Sequence, residues 1–255
     1  MTRLSRRHIM AASLGVLAAP MVATPVHARP LIALPDDLQQ TDVATITAVR
    51  TPSPVVAMTF DDGPHPTHTP RLLDMLRERG LRATFYLIGN RVVHYPALTR
   101  RIAEEGHEIG NHSWSHPFLD RHSDASVIRE IDRTTDAIYQ VTGRPPVTFR
   151  PPYGAFNRRQ RGWLNEVRRL PTILWSVDPQ DWRRPGSQTV ANRILHGSHQ
   201  GAIILSHDIH RGTIDAMPAT LDGLTARGLR FVTVSQIIGW PLWQNRTFRR
   251  VTQQG

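Results

Sequence analysis

Short apolar runs alternate with longer amphipathic stretches along most of this chain. The apolar runs are rich in β-branched residues, as buried strands are, and they are Val55–Phe60, Ala83–Ile88, Glu108–Asn111, Thr148–Pro151, Thr172–Val177, Ala202–Ser206 and Phe231–Val234. The stretches between them have helical spacing, and several end at a glycine. They are Thr69–Gly80, Pro96–Glu105, Ser123–Thr142, Asn157–Arg168, Gln188–Leu195 and Ile214–Arg227, the first with Thr69 as its expected N-cap.

Strand-helix alternation of this kind predicts an α/β fold with a parallel sheet that is closed, or nearly closed, into a barrel. An open doubly wound sheet is the alternative. In closed α/β barrels the catalytic groups gather at the carboxyl ends of the strands. The polar clusters that follow the predicted strands are therefore the candidates for chemistry.

Two adjacent aspartates, Asp61 and Asp62, end the first predicted strand just before Gly63 and Pro64. Adjacent carboxylates repel each other unless a cation or a shared proton lies between them. The pair therefore predicts a metal bound by one carboxylate, a general-base role for the other, or both. A solvated Asp-Gly turn is the alternative for this segment alone.

His112 and His116 follow the third predicted strand, four residues apart. At that spacing we expect both imidazoles on one side of a helical turn, close enough to share a cation. With Asp62 they would form a site of two histidines and one carboxylate with open coordination positions, as in many hydrolytic metal sites. Surface histidines at this spacing are the alternative.

The next strand end places Arg150 before Pro151 and Pro152, so that Tyr153 has the first free backbone N–H of the turn. A fixed donor beside a metal suits an oxyanion. A rigid surface turn is the alternative reading.

The fifth predicted strand is followed by Asp178, Asp181 and Trp182, and the sixth is followed by His207. An aspartate here could orient a nearby His or Arg, and Trp182 offers a flat face for a sugar ring. The alternative is that Asp181 only caps a helix. His207, leaving a buried strand, is placed to donate a proton to a leaving group.

The organisation that we expect is a signal peptide over 1–28, a lead-in over 29–53, one catalytic domain over 54–240 and a tail over 241–255. Arg6 and Arg7 precede the apolar run Ala11–Ala23 and the small residues up to Ala28, as in a twin-arginine signal. That run is too short for a comfortable membrane span, so no permanent span is expected. The twin-arginine export machinery would deliver the folded protein to the periplasm or beyond.

Composition narrows the chemistry further. The chain has 255 residues, enough for one substantial core, and no cysteine, so any metal ligands must be histidines and carboxylates. The formal charge is +10, carried entirely by arginine among the basic residues. Because the arginines are scattered, specific nucleic-acid binding is the weaker reading, and attraction to anionic envelope polymers explains the charge equally well.

Five segments, taken in order, resemble the polysaccharide deacetylases, the NodB homology domain of carbohydrate esterase family 4. They read T-F-D-D-G-P, H-S-W-S-H, R-P-P-Y-G, D-P-Q-D-W and I-L-S-H-D, and the likeness covers roughly Val55–Gly239. The resemblance implies a distorted (β/α)7 barrel. It also implies metal-dependent removal of N-acetyl, or sometimes O-acetyl, groups from an acetylated glycan.

Carried onto this sequence, the resemblance gives roles to the motif residues. Asp61 would be the general base and His207 the general acid. The metal ligands would be Asp62, His112 and His116, for one divalent ion: Zn first, with Co, Mn or Ni as alternatives. Arg150 would hold Asp61, and Asp178 would orient His207. The oxyanion and acetyl-methyl pockets would involve Pro152, Tyr153, Trp182 and Leu205.

Two other functions stay open. An amidohydrolase of the same fold acting on a small amide would keep the metal ligands and His207 but close the groove around Trp182. An inactive glycan-binding module would usually lack Asp61 or a ligand, and this chain has both.

Overall fold

In the computed structural model, which describes residues 45–240, short parallel strands alternate with helices. The strands are β1 (Thr45–Ile46), β2 (Val55–Asp61), β3 (Thr84–Leu87), β4 (Glu108–Asn111), β5 (Thr172–Ile173), β6 (Ile203–Ile204) and β7 (Arg230–Phe231). The helices are α1 (His68–Glu78), α2 (Gly89–His94), α3 (Pro96–Glu104), α4 (Asp124–Thr142), α5 (Arg158–Arg168), α6 (Ser187–Gly197), α7 (Arg211–Ala226) and α8 (Val234–Ile237).

The central strand is β2, which pairs in parallel with β3, β6 and β7. β3 continues to β4, and β1 pairs with β5. Single-residue parallel bridges complete the circuit, from Asn111 to Phe149, from Phe149 to Thr172 and from Val177 to Ile204. The predicted parallel α/β fold is confirmed, and the barrel is distorted because its 148–177 side consists mainly of isolated bridges.

Residues of β2 alternate between two apolar clusters, although the whole strand is buried. Val56, Met58 and Phe60 pack with the helices, whereas Val55 and Ala57 pack with Tyr86 in the second cluster, inside the barrel. By the same period of two, Thr59 and Asp61 point into the barrel. The strand thus sends its last carboxylate toward the interior.

Two helices begin where the sequence predicted, and one does not. Ser123 caps α4 by accepting from Ser126 N, and Asn157 forms a capping box with Gln160 at α5. Thr69 is not an N-cap, because α1 already begins at His68, after Thr67.

Part of the predicted lead-in belongs to the fold, since it contributes β1 and a bridge from Ala48 to Ala202. The helices α2 and α8 have no counterpart in the sequence prediction. The proposed signal peptide and the C-terminal tail lie outside the described residues. Within residues 45–240, no helix has both the length and the apolar character needed to cross a membrane.

Candidate metal centre and active site

The two aspartates at the end of β2 point in different directions. Asp61 is still part of the strand, whereas Asp62 has a left-handed backbone with φ of 72°. A non-glycine residue rarely adopts that conformation, although aspartate tolerates it better than most. The change in backbone sends the Asp61 carboxylate to Arg150 and the Asp62 carboxylate to the histidines.

Asp62, His112 and His116 each offer one ligand atom, and these atoms lie within 4.8 Å of one another. Asp62 Oδ1 is 3.4 Å from His112 Nε2 and 3.2 Å from His116 Nε2, and this buried oxygen has no hydrogen-bond partner. Burial alone would raise the pKa of Asp62, but positive charge on the two imidazoles would hold it well below its usual value, and a cation between the three groups would act in the same direction. The Asp62 carboxylate is therefore an anion facing two ring nitrogens.

The protonation of His112 also fits a metal ligand. Its Nδ1 lies 2.7 Å from the carbonyl oxygen of Arg150, which can only accept, so Nδ1 carries the hydrogen. In the neutral ring Nε2 then has the lone pair that faces Asp62. Electron-pair donors turned toward one another repel unless a cation lies between them, so these three residues fit a divalent ion.

The loop that carries the histidines is not a helical turn, contrary to the prediction. Ser113 and His116 both have left-handed backbones, with φ of 64° and 62°. The Glu130 carboxylate of α4 accepts from Trp114 N at 2.9 Å and Ser115 N at 2.8 Å, and this anchors the loop. The two imidazoles still lie close together, with ring centroids 5.0 Å apart. The conformation of the loop, and not a helical turn, places them there.

Arg150 is fully buried and holds Asp61 from inside the barrel. Its Nη1 donates to Asp61 Oδ1 at 2.8 Å and to Thr59 Oγ1 at 2.6 Å. Its guanidinium also lies 4.2 Å from the Tyr86 ring centroid. That ring needs Gly110 beside it, because a Cβ there would come within 2.3 Å of it. The arrangement leaves Asp61 Oδ2 on the metal side, 3.7 Å from His112 Nε2.

The Pro151-Pro152 turn presents Tyr153 as expected. The backbone bonds of the turn run from Gly154 N to Pro151 O and from Ala155 N to Pro152 O, and neither uses the Tyr153 N–H. Tyr153 is left-handed, with φ of 58°. Its ring stacks on that of Phe118, with ring centroids 4.0 Å apart. It also meets the His116 ring edge-on, with ring centroids 4.5 Å apart. The donor is therefore carried by a turn packed against a metal-ligand candidate.

Asp181, and not Asp178, contacts His207, which corrects the role expected of Asp178. Asp181 Oδ1 lies 2.8 Å from His207 Nδ1, and its Oδ2 accepts from His207 N and Thr213 Oγ1, both at 2.7 Å. Asp178 is exposed and accepts from Gln180 N at 2.7 Å, in its own turn. The short helical turn over Asp181–Arg183 brings the later aspartate beneath His207.

The Asp181 contact makes His207 basic. Burial alone would lower the pKa of His207, but the hydrogen bond and charge of Asp181, with smaller contributions from Asp61 and Asp62, raise it to about 9. Burial likewise opposes ionisation of Asp181, yet its bond to His207 lowers the pKa of Asp181. At neutral pH the pair is an imidazolium beside a carboxylate, and Nε2 is the ring nitrogen that Asp181 leaves free.

A cavity of about 460 Å³ brings most of these groups together. The sequence-predicted residues that line it are Asp61, Asp62, His112, His116, Tyr153, Asp178, Trp182, Leu205 and His207. Arg150 and Pro152 are buried behind it. Trp175 and His210 also line the cavity, and neither was assigned a role from the sequence.

Asp208 was assigned no role from the sequence and lies close to Asp62, one of the candidate metal ligands. It is buried, contacts the Thr69 hydroxyl, and has one oxygen without a hydrogen-bond partner. Burial raises the pKa of Asp208 to about 7. A Cβ on Gly63 would come within 2.6 Å of this carboxyl, so Asp208 requires glycine directly after Asp62.

Known proteins are similar to this chain in both sequence and fold. The profile of a family described as polysaccharide deacetylase matches residues 48–169. A peptidoglycan-N-acetylglucosamine deacetylase of Bacillus cereus is 38% identical over 189 residues, which cover 72% of this chain and 88% of that protein. The chain belongs to the polysaccharide deacetylase family. The resemblance inferred from the five motifs is thereby confirmed.

A solved structure extends the likeness to three dimensions. Peptidoglycan deacetylase PdaC of Bacillus subtilis has a TM-score of 0.69 and 40% identity, over 74% of this chain and 92% of that one. The peptidoglycan-N-acetylglucosamine deacetylase PgdA of Listeria monocytogenes is 42% identical over 184 residues, covering 72% of this chain but 39% of that protein. The chain thus matches less than half of the length of that relative.

Proposed function

We propose that this chain is a metal-dependent hydrolase that removes N-acetyl groups from a cell-envelope glycan, with O-acetyl groups as the second possibility. One observation supports it most. Asp62, His112 and His116 each bring one possible ligand atom to within 4.8 Å of the others, with Asp61 and a protonated His207 lining the same cavity. Metal ligands, a free carboxylate and an acid are the parts that amide hydrolysis needs.

The ion would be held by Asp62, His112 and His116. The ion would be zinc, with cobalt, manganese or nickel as alternatives. When bound there, it would polarise the acetamide carbonyl and lower the pKa of water. Asp61 Oδ1 is occupied by Arg150, so Oδ2 is the oxygen free to take a proton from the attacking water.

The charge that develops on the carbonyl oxygen would be met by the Tyr153 N–H. A fixed backbone donor of this kind contributes about 3 kcal/mol to other hydrolases of acyl groups. Trp182 and Leu205 line the same cavity and would hold the acetyl methyl group. Pro152 supports the donor by fixing the backbone just before it.

His207 would complete the reaction by protonating the departing amine from Nε2. Asp181 binds Nδ1 and so fixes both the orientation of the ring and its charge. Opposite protonation states of Asp61 and His207 predict a bell-shaped dependence of rate on pH.

A polymeric acceptor is favoured over a small amide by the walls of the cavity. Tyr153 is 57% exposed and Trp182 is 46% exposed, on an open cavity rather than in a closed pocket. Exposed aromatic rings beside a site suit stacking of sugar rings. Relatives are named for N-acetylglucosamine and for N-acetylmuramic acid of peptidoglycan, and the second of these sugars is a carboxylic acid.

The proposed location is the periplasm or the exterior, reached through the twin-arginine machinery. The support is the sequence of residues 1–28, with Arg6 and Arg7 ahead of a short apolar run. Replacing both arginines with lysine should trap the protein inside the cell, and unchanged export would refute this route.

Acetate release tests the activity. The purified protein is incubated with an N-acetylglucosamine tetramer and with glycan strands of peptidoglycan, before and after removal of metal by a chelator and after its return. We expect release that the chelator abolishes and zinc or cobalt restores. Turnover of a small acetamide alone would favour the amidohydrolase, and release that does not depend on metal would refute the proposal.

A further inference from the structure

A second cavity, of about 440 Å³, adjoins the catalytic one, and His210 lines both. Arg184 and Arg211 also line it, with Val190 and Ile209 as its larger apolar residues. None of these residues belongs to the machinery proposed for amide hydrolysis. The second cavity therefore calls for a separate account.

The charge of this cavity is positive and incompletely compensated. Arg184 is exposed, and no carboxylate of the described residues lies within 4.0 Å of its guanidinium. Arg211 is also exposed and reaches Asp215 through Nε alone, at 3.3 Å. Asp215 is in turn bound at 3.0 Å by Arg71.

The single acidic residue among those that line the second cavity is Asp181, and it is already saturated. Its Oδ1 accepts from Trp182 N and His207 Nδ1, and its Oδ2 accepts from His207 N and Thr213 Oγ1. Because the Asp181 carboxylate is already paired with the His207 ring at 2.8 Å, its charge is not left over for the arginines. An anionic group of a ligand can.

The position of Arg184 is fixed relative to the reaction centre. Its N–H donates to Asp181 O at 2.8 Å, and its backbone is left-handed with φ of 54°, a conformation uncommon for arginine. Arg184 thus follows directly the short turn that carries Asp181 and Trp182. A group bound by Arg184 would therefore lie beside a glycan that contacts Trp182.

We propose that this cavity is a subsite for a carboxylate carried by the glycan, next to the sugar that is deacetylated. Arg184 and Arg211 would bind the carboxylate, and Val190 and Ile209 would contact the carbon stem that bears it. The apolar contact favours an organic acid over a hydrated inorganic anion. This inference depends on the proposed function and narrows its substrate to acidic envelope glycans.

The test compares acidic and neutral glycans. A tetrasaccharide of alternating N-acetylglucosamine and N-acetylmuramic acid is used with free carboxylates and with the same carboxylates amidated. A third form carries stem peptides, and an N-acetylglucosamine tetramer is the neutral reference. Binding to the wild-type protein is measured by calorimetry, and kcat/KM by acetate release.

For Arg184→Gln we expect kcat/KM on the carboxylate substrate to fall about fivefold, as for a partly exposed ion pair, with no change on the neutral tetramer. Arg211→Gln should act in the same direction. Arg100→Gln is the matched control, because Arg100 is an exposed arginine that lines neither cavity. Raising the ionic strength should shrink the wild-type preference for the acid.

Equal binding of the free and amidated tetrasaccharides would overturn the proposal. So would losses in Arg184→Gln that are equal on acidic and neutral substrates. A preference seen only when stem peptides are attached would likewise overturn it, because the carboxylate that is recognised would then belong to the peptide and not to the glycan. Absence of acetate release from every glycan, with the binding preference intact, would refute the proposed function and not the subsite.

Discussion

Replacement of Asp181 by asparagine tests whether this carboxylate sets the protonation of His207. Asparagine has nearly the same shape and can still accept from His207 Nδ1, but it carries no charge. The His207–Asp181 contact at 2.8 Å is almost closed to solvent, with His207 14% exposed and Asp181 fully buried at the side chain. The charge of Asp181 therefore acts on His207 with little screening.

The structure gives the size of the effect. Asp181 is the main cause that raises the pKa of His207 from 6.5 to about 9, a preference for the protonated form of about 3 kcal/mol. Asp61 and Asp62 contribute less and stay in place. We therefore expect the variant to have a His207 pKa lower by about 2.

The sign follows from the role of His207 as an acid. The wild type keeps the proton up to about pH 9, so its rate should fall only above that value. In Asp181→Asn the fall should begin near neutrality, which gives about a tenfold deficit at pH 8 and little deficit at pH 6.

The assay is kcat/KM for acetate release, measured across pH on the metal-loaded protein. Asp178→Asn is the control, because Asp178 does not contact His207 and its removal should leave the alkaline limb in place. A uniform loss at every pH in Asp181→Asn, with the limb unmoved, would show that Asp181 does not set the acidity of His207. Movement of the limb in Asp178→Asn would restore the role first expected of that residue.

Three further variants test the other parts of the site. Asp61→Asn should lower kcat by about 100-fold or more while the metal content stays at one per chain. Activity within tenfold of wild type would exclude Asp61 as the base. The control is Asp136→Asn, which changes an exposed carboxylate of α4 and should have no effect. His112→Ala should lose bound metal and activity together, and an intact metal content by atomic emission would remove it from the ligands. Arg150→Met should lower the free energy of unfolding by about 3–5 kcal/mol in urea, since it leaves Asp61 buried without its partner; an unchanged midpoint would contradict that account.

The sequence predicted the fold class and the order of the strands because both depend on local patterns, whereas the strand predicted over Phe231–Val234 is the two-residue β7, and Val234 begins α8. β2 is a run of buried residues that stops at a turn, and β4 has the predicted bounds Glu108–Asn111. The strands predicted over Thr148–Pro151 and Thr172–Val177 are instead one bridged residue and the two-residue β5. Those segments are apolar and largely buried, and burial alone does not reveal how few ladder bonds form.

Within the site, residue types were easier to predict than contacts. Asp178 and Asp181 stand three residues apart at one strand end, and only the fold of the following turn decides which of them reaches His207. The left-handed residues Ser113 and His116 could not be read from a spacing that suits a helix equally well. Asp208 ends the I-L-S-H-D segment, but no role could be assigned to it from the sequence, because its burial beside Gly63 and Thr69 depends on the fold.

Arg150 connects two regions of the molecule that are usually considered separately. Its Nη1 donates at 2.8 Å to Asp61 Oδ1 at the end of β2, while Nε donates to Ile173 O at 3.3 Å and Nη2 to Leu174 O at 3.0 Å, on the irregular 148–177 side of the barrel. A lysine ammonium is a single point charge and could not span these acceptors at once. The orientation of Asp61 and the packing of the irregular 148–177 side therefore both depend on Arg150. A substitution of Arg150 would disturb the two together.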